Sequence, residues 1–347
     1  MQSIAFALAS KITIHDIARE LNLTAATISR ALNDHPNISA ATKELVKSTA
    51  LRMNYKRNRL ATSLRLGRSN VIGVVIPNIG IKFFGYVVQG IEEVANEHGY
   101  QVLLFQSNED PESEVHGIET LLQSNVDGII LSVTKETVQY DHLKEVEQRN
   151  IPLVLFDRVE DSLDLPSVVI DDYKGAYMAT EHLIEQGYRQ IAHISGQQHI
   201  KIFNDRLRGY ADALRTHGMQ VNDKLIAYGS VSVESGRLHA RKMLQGKNPP
   251  DAFFAVEDLT ALGALQAIKM CGLNVPRDVG LVGFGNDSFG AYISPSLTTV
   301  DQESLKMGKA SAKLLIRMKN GKEKQKKISV KKQILEPVLI VRESSQK

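Results

Sequence analysis

The chain has 347 residues, 43% of them hydrophobic and 23% charged, enough to bury a large core and to hold more than one domain. No apolar stretch reaches the roughly 18–20 residues that a membrane-spanning helix needs, and the single cysteine, Cys271, excludes an intrachain disulfide and a cysteine-built zinc or iron–sulfur site. The net charge of +3 is unevenly spread: residues 1–68 hold 11 Lys and Arg against 4 Asp and Glu, a net +7, and the remainder is −4. A basic head on a mildly acidic body predicts a polyanionic partner for the head alone, and a reducing, cytoplasmic, nucleoid-associated setting.

The opening MQSIAFALAS has no basic n-region and only a short apolar run, so residues 1–10 are read as a disordered extension rather than a signal peptide. Thr13 is placed to cap a helix with Asp16 in its first turn, and Ile14, Ile17, Ala18 and Leu21 follow the spacing of one buried face. After the turn at Asn22 and Leu23, Thr24 caps a second helix that packs through Ile28, Ala31 and Leu32. Pro36 ends that stretch, Ser39 caps a third helix, and Leu45, Val46, Thr49 and Met53 give it an inward stripe. Residues 11–55 therefore predict a helix-turn-helix, with a plain packing bundle as the alternative.

In a helix-turn-helix the second helix enters the major groove with its first residues at the base edges. Arg30 has the fork for guanine O6 and N7, and the methyls of Ala25 and Ala26 suit thymine methyls. Thr24, Thr27 and Ser29 offer hydroxyls for phosphate oxygens, which fix orientation without reading sequence. The next stretch, YKRNRLATSLRLGRSN over 55–70, has five Lys and Arg and no acid, with Leu60 and Leu64 one turn apart beside Ala61. A helix so short is marginal alone, so residues 56–69 are expected to order when phosphates neutralise the arginines and a partner covers the leucines.

The order TIHDIARELNLTAATISRALN, then YKRNRLATSLR, then SNVIGVVIPNI resembles the lactose- and galactose-repressor family of bacterial transcription regulators, with a purine-repressor-like architecture. The resemblance implies that the hinge helices of two subunits pair in the minor groove. There Leu64 would wedge a base step, Ala61 would lie at the helix contact, and Arg57, Asn58 and Arg65 would meet DNA. Such a wedge costs roughly a few kcal/mol of unstacking, offset by the contacts that the bend permits. The family usually has proline where this chain has Arg57, so a looser free hinge is expected.

From Asn70 onward short apolar runs alternate with helical stretches. VIGVVIP, QVLLFQS, DGIILSV and PLVLFD are separated by amphipathic segments near 87–98, 114–123 and 140–149, and IAHISG, LIAYGS, AFFAVED and VGLVGFG form a second series. This punctuation predicts two α/β lobes with ligands at the strand ends between them. The fold class is thus an all-α helix-turn-helix head plus an α/β body of two doubly wound parallel-sheet lobes, of the periplasmic-binding-protein type that the resemblance implies. Family topology assigns 70–168 and 300–326 to the first lobe, and 169–299 and 327–347 to the second. The basic KNGKEKQKK is read as a solvated loop, and the VRESSQK end has no heptads, so a homodimer is expected.

The body offers no phosphate loop, nucleophile elbow or HExxH, and Gly283-Phe284-Gly285 lacks the third glycine of a dinucleotide fingerprint, so no enzyme, cofactor or metal is expected. Candidate effector contacts follow the strands: Phe83 and Phe84, Asp157 and Arg158, Arg206, Glu257 and Asp258, and Asn286. Arg206 matches the arginine that clamps the effector in the resembled family; Phe84 is as readily core, and the others are equally suited to caps or ion pairs lining the lobes. Gly285 stands where lactose and purine repressors have an aspartate, so neither effector carries over. The resemblance implies a dimeric regulator on a near-palindromic DNA operator, controlled by a small molecule, most often a sugar or sugar derivative. The alternative is a stand-alone carbohydrate-binding protein.

Overall fold

The computed structural model describes residues 12–55, 68–323 and 332–347, divided into two units at Ser69/Asn70. Unit 1 holds α1 (Ile14–Glu20), α2 (Ala25–Leu32) and α3 (Ala40–Arg52). The Asp16 carboxylate accepts from the Thr13 amide at 2.9 Å, and Thr24 Oγ1 accepts from the Thr27 amide at 3.1 Å, so both helix starts are satisfied by their own side chains. Asn22 takes φ 52° in the turn between them. Ile17, Ala18, Ile28, Ala31, Val46 and Ala50 form the core. Leu45, expected inside, is 52% exposed; Val46, Thr49 and Ala50 form the inward face instead.

Unit 2 contains, among the described residues, two six-stranded sheets in the orders β11-β5-β4-β3-β1-β2 and β12-β10-β9-β8-β6-β7. The first comprises β1 (Val71–Ile76), β2 (Gln101–Gln106), β3 (Gly128–Leu131), β4 (Leu153–Phe156), β5 (Ser167–Ile170) and β11 (Lys332–Leu335). The second comprises β6 (Ile191–Ser195), β7 (Ile226–Tyr228), β8 (Ala252–Ala255), β9 (Gly280–Phe284), β10 (Thr298–Asp301) and β12 (Val338–Ile340). All pairings are parallel except β10 with β12, which is antiparallel, a departure from the expected wholly parallel sheet.

Alternation along the strands divides each lobe into two cores. Ile72, Val74 and Ile76 meet α4 (Lys82–Glu97) and α11 (Ser304–Glu323), and Val75, Ile129 and Leu131 meet α5 (Pro111–Gln123) and α6 (Asp141–Gln148). In the second lobe α7 (Asp172–Glu185) and α8 (Lys201–Thr216) cover one face, and α9 (Val233–Leu244) and α10 (Asp258–Met270) the other. Close helix pairs are set by glycine: a Cβ at Gly90 or Gly308 would strike backbone across α4 and α11, and one at Gly236 or Gly263 across α9 and α10.

The chain crosses between sheets after β5, after β10 and after β11. This corrects three stretches of the expected lobe assignment. Residues 169–170 complete β5 and residues 332–335 form β11 in the first sheet, and residues 300–301 complete β10 in the second. The cause is strand pairing: β11 satisfies the outer edge of β5, which would otherwise present unpaired amides. Among the described residues, no helix is long and apolar enough to cross a membrane, and no cluster of His, Cys, Asp and Glu is placed to hold a metal ion.

Candidate functional sites: an exposed recognition helix and an interlobe cleft

On α2, Thr24, Ala26 and Arg30 are exposed, and Ala25, Thr27 and Ser29 are half-buried. Ala25 packs partly against the head core, so less of its methyl is free for a base edge than the sequence implied. The neighbouring cations are engaged: Arg19 pairs with Asp16 at 3.4 Å, Lys47 with Asp34 at 2.7 Å and Arg52 with Glu20 at 2.9 Å. Arg30 has no ion pair among the described residues and is left as the uncommitted guanidinium on this helix. Arg57, Asn58, Ala61, Leu64 and Arg65 lie outside the described residues, as do residues 1–10.

Between the lobes a cleft of about 140 Å³ adjoins a second compartment of about 150 Å³, the two sharing Ile81, Phe83, Glu257, Leu259 and Gln302. Together they lie near the lower end of the roughly 300–1,000 Å³ of small-molecule sites. Phe83 and Phe84 line the cleft edge-to-face at 5.1 Å between ring centres, and Phe84 is also fully core, packing on Phe156. Phe84 thus belongs to the core and lines the cleft at once.

Arg206 lies in the second turn of α8, 1% exposed. Its Nε donates to Asp172 at 2.8 Å, Nη1 to the Val256 carbonyl at 2.7 Å and Nη2 to Gln302 at 3.3 Å, and its guanidinium stacks 3.6 Å from the Phe284 ring centre. This arginine is a structural tie as well as a cleft residue. It ties Asp172, just past the first crossing, to Gln302, within the second, while still lining the cleft.

Asp157 and Arg158 directly follow β4, and Asp157 takes φ 59°, a strained conformation for a non-glycine residue. Burial lifts the Asp157 carboxyl to about 6 against the pull of Arg158 and Arg206, and raises Glu257 similarly in direction. Neither side chain accepts a hydrogen bond among the described residues, although both line the cleft beside Arg158, Arg206 and Lys135. Asp258 and Asn286 are more committed. Asp258 accepts from Thr299 Oγ1 and the Asp287 amide, each at 2.6 Å. Asn286 donates to Asp301 and accepts from Arg342, each at 2.8 Å. Both line the second compartment with their polar atoms already engaged by the protein. Gly285 has φ 133°, so an aspartate here would demand a different backbone, not just a longer side chain.

Sequence reasoning missed Glu109, Lys135, Asp172 and Gln302. Lys135 and Gln302 line the cleft directly, and Glu109 and Asp172 hold its arginines. Local sequence carried no signal for them because each follows a different strand and they converge only once both sheets are formed.

The buried acids make a pH prediction. Burial raises Asp172 and Asp258 each to about 7, so the folded chain binds protons that the unfolded chain, with carboxyls near 3.8, has released. Their contribution is fully present below about pH 3.8 and is lost as the pH rises through 7. Buried His193, lowered to about 4, acts in the opposite sense between about 4 and 6.5. The difference between wild type and Asp258→Asn isolates one acid: in urea unfolding, wild type is expected to gain on the variant as pH falls from 7.5 to 5.

Two family models match: "bacterial regulatory proteins, lacI family" over residues 13–58, and "periplasmic binding proteins and sugar binding domain of LacI family" over residues 69–335. Catabolite control protein A of Priestia megaterium is 33% identical over 310 residues, 89% of this chain and 93% of that protein. Among solved structures, the lac repressor dimer bound to operator and the anti-inducer ONPF superposes with a TM-score of 0.87 at 26% identity, covering 97% of this chain and 100% of that one. The CelR–cellobiose complex does so with 0.72 at 29%, covering 96% and 99%.

Proposed function

This chain belongs to the LacI family of bacterial regulatory proteins, DNA-binding transcriptional regulators rather than enzymes, and on that premise we propose that it is a repressor controlled by a neutral sugar bound between its lobes. It binds operator DNA as a dimer, as its family does. The observation that supports the effector class is the lining of the cleft: two carboxyls without donors, Asp157 and Glu257, beside the donors of Arg158, Arg206 and Lys135. Hydroxyls satisfy both kinds of group at once, because each donates and accepts. The apolar faces of Phe83 and Phe84 suit the C–H face of a sugar ring.

The DNA contacts fall to α2: Arg30 and Ala26 to base edges, Thr24, Thr27 and Ser29 to phosphates, and Ala25 to the groove wall. The segment with Arg57, Asn58, Ala61, Leu64 and Arg65 serves as the minor-groove wedge. Effector binding acts by its differential affinity for two lobe arrangements, a coupling of about 1–3 kcal/mol. The test titrates duplex-bound dimer with neutral sugars. An affinity change of roughly 5- to 150-fold supports the reading, and no change with any sugar overturns it. In the same assay Arg30→Ala is expected to lose about 1–3 kcal/mol and to relax preference at one base pair; sequences selected from a random duplex pool by the two proteins make the comparison.

A further inference from the structure

The second lobe holds another cavity, which shares no residue with either compartment of the interlobe cleft. In this lobe the cleft is lined from segments that follow strands, such as Val231 after β7 and Glu257 after β8. The other cavity is lined from segments that precede them: Asn222, Lys224 and Leu225 before β7, and Gly246, Lys247 and Asn248 before β8. β6, β7 and β8 run parallel, so the two sites stand at opposite ends of one sheet. β7 is the outer strand, and the core under α9 and α10 stops there with Leu225, Met243 and Leu244 only partly covered. The space left is about 580 Å³, within the roughly 300–1,000 Å³ of small-molecule sites, and Leu225, Ile226, Ala227 and Met243 give it an apolar lining.

The rest of the lining is basic or neutral. Lysines elsewhere in unit 2, such as Lys144, Lys201, Lys306, Lys309 and Lys319, each hold a carboxylate. Lys224, Lys242 and Lys247 hold none among the described residues, and no carboxylate lines the cavity. Three like charges around one concavity repel each other and draw in an anion. His239, beside them on α9, makes no hydrogen bond among the described residues, and a Cβ at Gly229 would stand 2.8 Å from its Nε2, so that glycine leaves the ring its room. Burial and the Lys242 charge hold the imidazole below its ordinary pKa, so near neutral pH it offers one donor and one acceptor. Asn222 commits its Oδ1 to the Lys224 amide at 3.1 Å and keeps its Nδ2 as a donor, and Asn248 keeps both ends of its carboxamide.

An inorganic anion satisfies the lysines but leaves the apolar lining and most of the space unfilled. An uncharged ring fills the space and leaves the lysines facing one another. A phosphate carried on a flat ring with polar edges does both: the lysines take the phosphate, Leu225 and Met243 pack on the ring, and the carboxamides and imidazole pair with its edge atoms. We propose that this cavity binds a nucleoside phosphate, as a second ligand site independent of the effector cleft.

Calorimetric titration of the full chain at fixed ionic strength compares ATP and AMP with adenosine, a hexose monophosphate and inorganic phosphate. The two nucleotides are expected to bind, and the other three about tenfold or more weakly. The double variant Lys224→Gln, Lys247→Gln should lose about tenfold or more of the ATP affinity. The thermal midpoint of the free chain should hold, because both side chains are exposed. Lys313→Gln removes another exposed lysine with no carboxylate partner, on α11, and should leave the affinity unchanged. The wild-type chain locates the site directly: periodate-oxidised AMP is trapped on lysine with borohydride and the peptides are mapped. Label at Lys224, Lys242 or Lys247, suppressed by excess ATP, is the expected result, and this arm serves where the double variant does not fold. Label on the head lysines or on Lys135 in the cleft overturns the inference, as do equal losses from the double variant and from Lys313→Gln, the mark of attraction to net charge alone. Adenosine, hexose monophosphate or inorganic phosphate binding as tightly as AMP overturns the nucleoside phosphate as the ligand.

Discussion

Replacing Arg206 with leucine is expected to lower the unfolding free energy by about 3–5 kcal/mol and to abolish any effector response. The guanidinium is 1% exposed and supplies Asp172, the Val256 carbonyl and Gln302 with donors. Leucine leaves the Asp172 carboxyl buried without a counter-charge and the Val256 carbonyl without a donor, and the cost of orphaned groups exceeds what the apolar side chain regains against Phe284. Asp172 already titrates near 7, so the variant can relieve itself by taking up a proton. The loss should therefore be larger at pH 8 than at pH 6, by urea unfolding at both. The double variant Arg206→Met, Asp172→Leu removes both charges and should recover much of the stability, though not the response. Recovery of both would show that Arg206 is a packing group alone.

A pair of alanine substitutions in α4 is expected to act with opposite signs. Gly90→Ala places a methyl against the Leu305 carbonyl and the Gly308 backbone of α11, which cannot yield without parting the two helices. The loss should reach about 3 kcal/mol, the upper end for overpacking. Gly85, in the same helix, has open space where a Cβ would stand, and Gly85→Ala should stabilise by ~0.5–1 kcal/mol through helix propensity. Chemical unfolding of both proteins checks the pair. A loss at both positions would mean that helix pairing in the first lobe tolerates less change than the close approach at Gly90 implies.

How far the sequence reached depended on the range of the interaction involved. The caps at Thr13, Thr24 and Ser39 and the inward Ile17, Ile28 and Val46 are local features, set within a turn or two, and were readable directly. Leu45 was misplaced because helical spacing fixes which residues share a face, and here the neighbouring phase, through Val46 and Ala50, meets the other helices. The α/β alternation was equally plain in the apolar runs. Phe83, Asp157, Arg158, Arg206 and Glu257 do line one cleft, but they were reached because strand ends converge in such folds, and Arg206 through a resemblance. What lay beyond reach was the partner of each arginine. Glu109 stands 49 residues from Arg158, and Gln302 stands 96 from Arg206, with no spacing rule to connect them. The lobe boundaries failed for the same reason, since the pairing of Lys332–Leu335 with Ser167–Ile170 is a choice made by a sheet edge.

That late pairing bears on how the protein is made. The strand that completes the first sheet leaves the ribosome after five of the six strands of the second have been synthesised. At about 5–20 residues per second the nascent chain carries an open β-edge for on the order of ten seconds. During translation that edge is a template for any other extended chain nearby, and products cut short before Lys332 keep it indefinitely. Truncated polypeptides of this protein should therefore accumulate as aggregates or as chaperone clients, and not as a half-molecule that still folds.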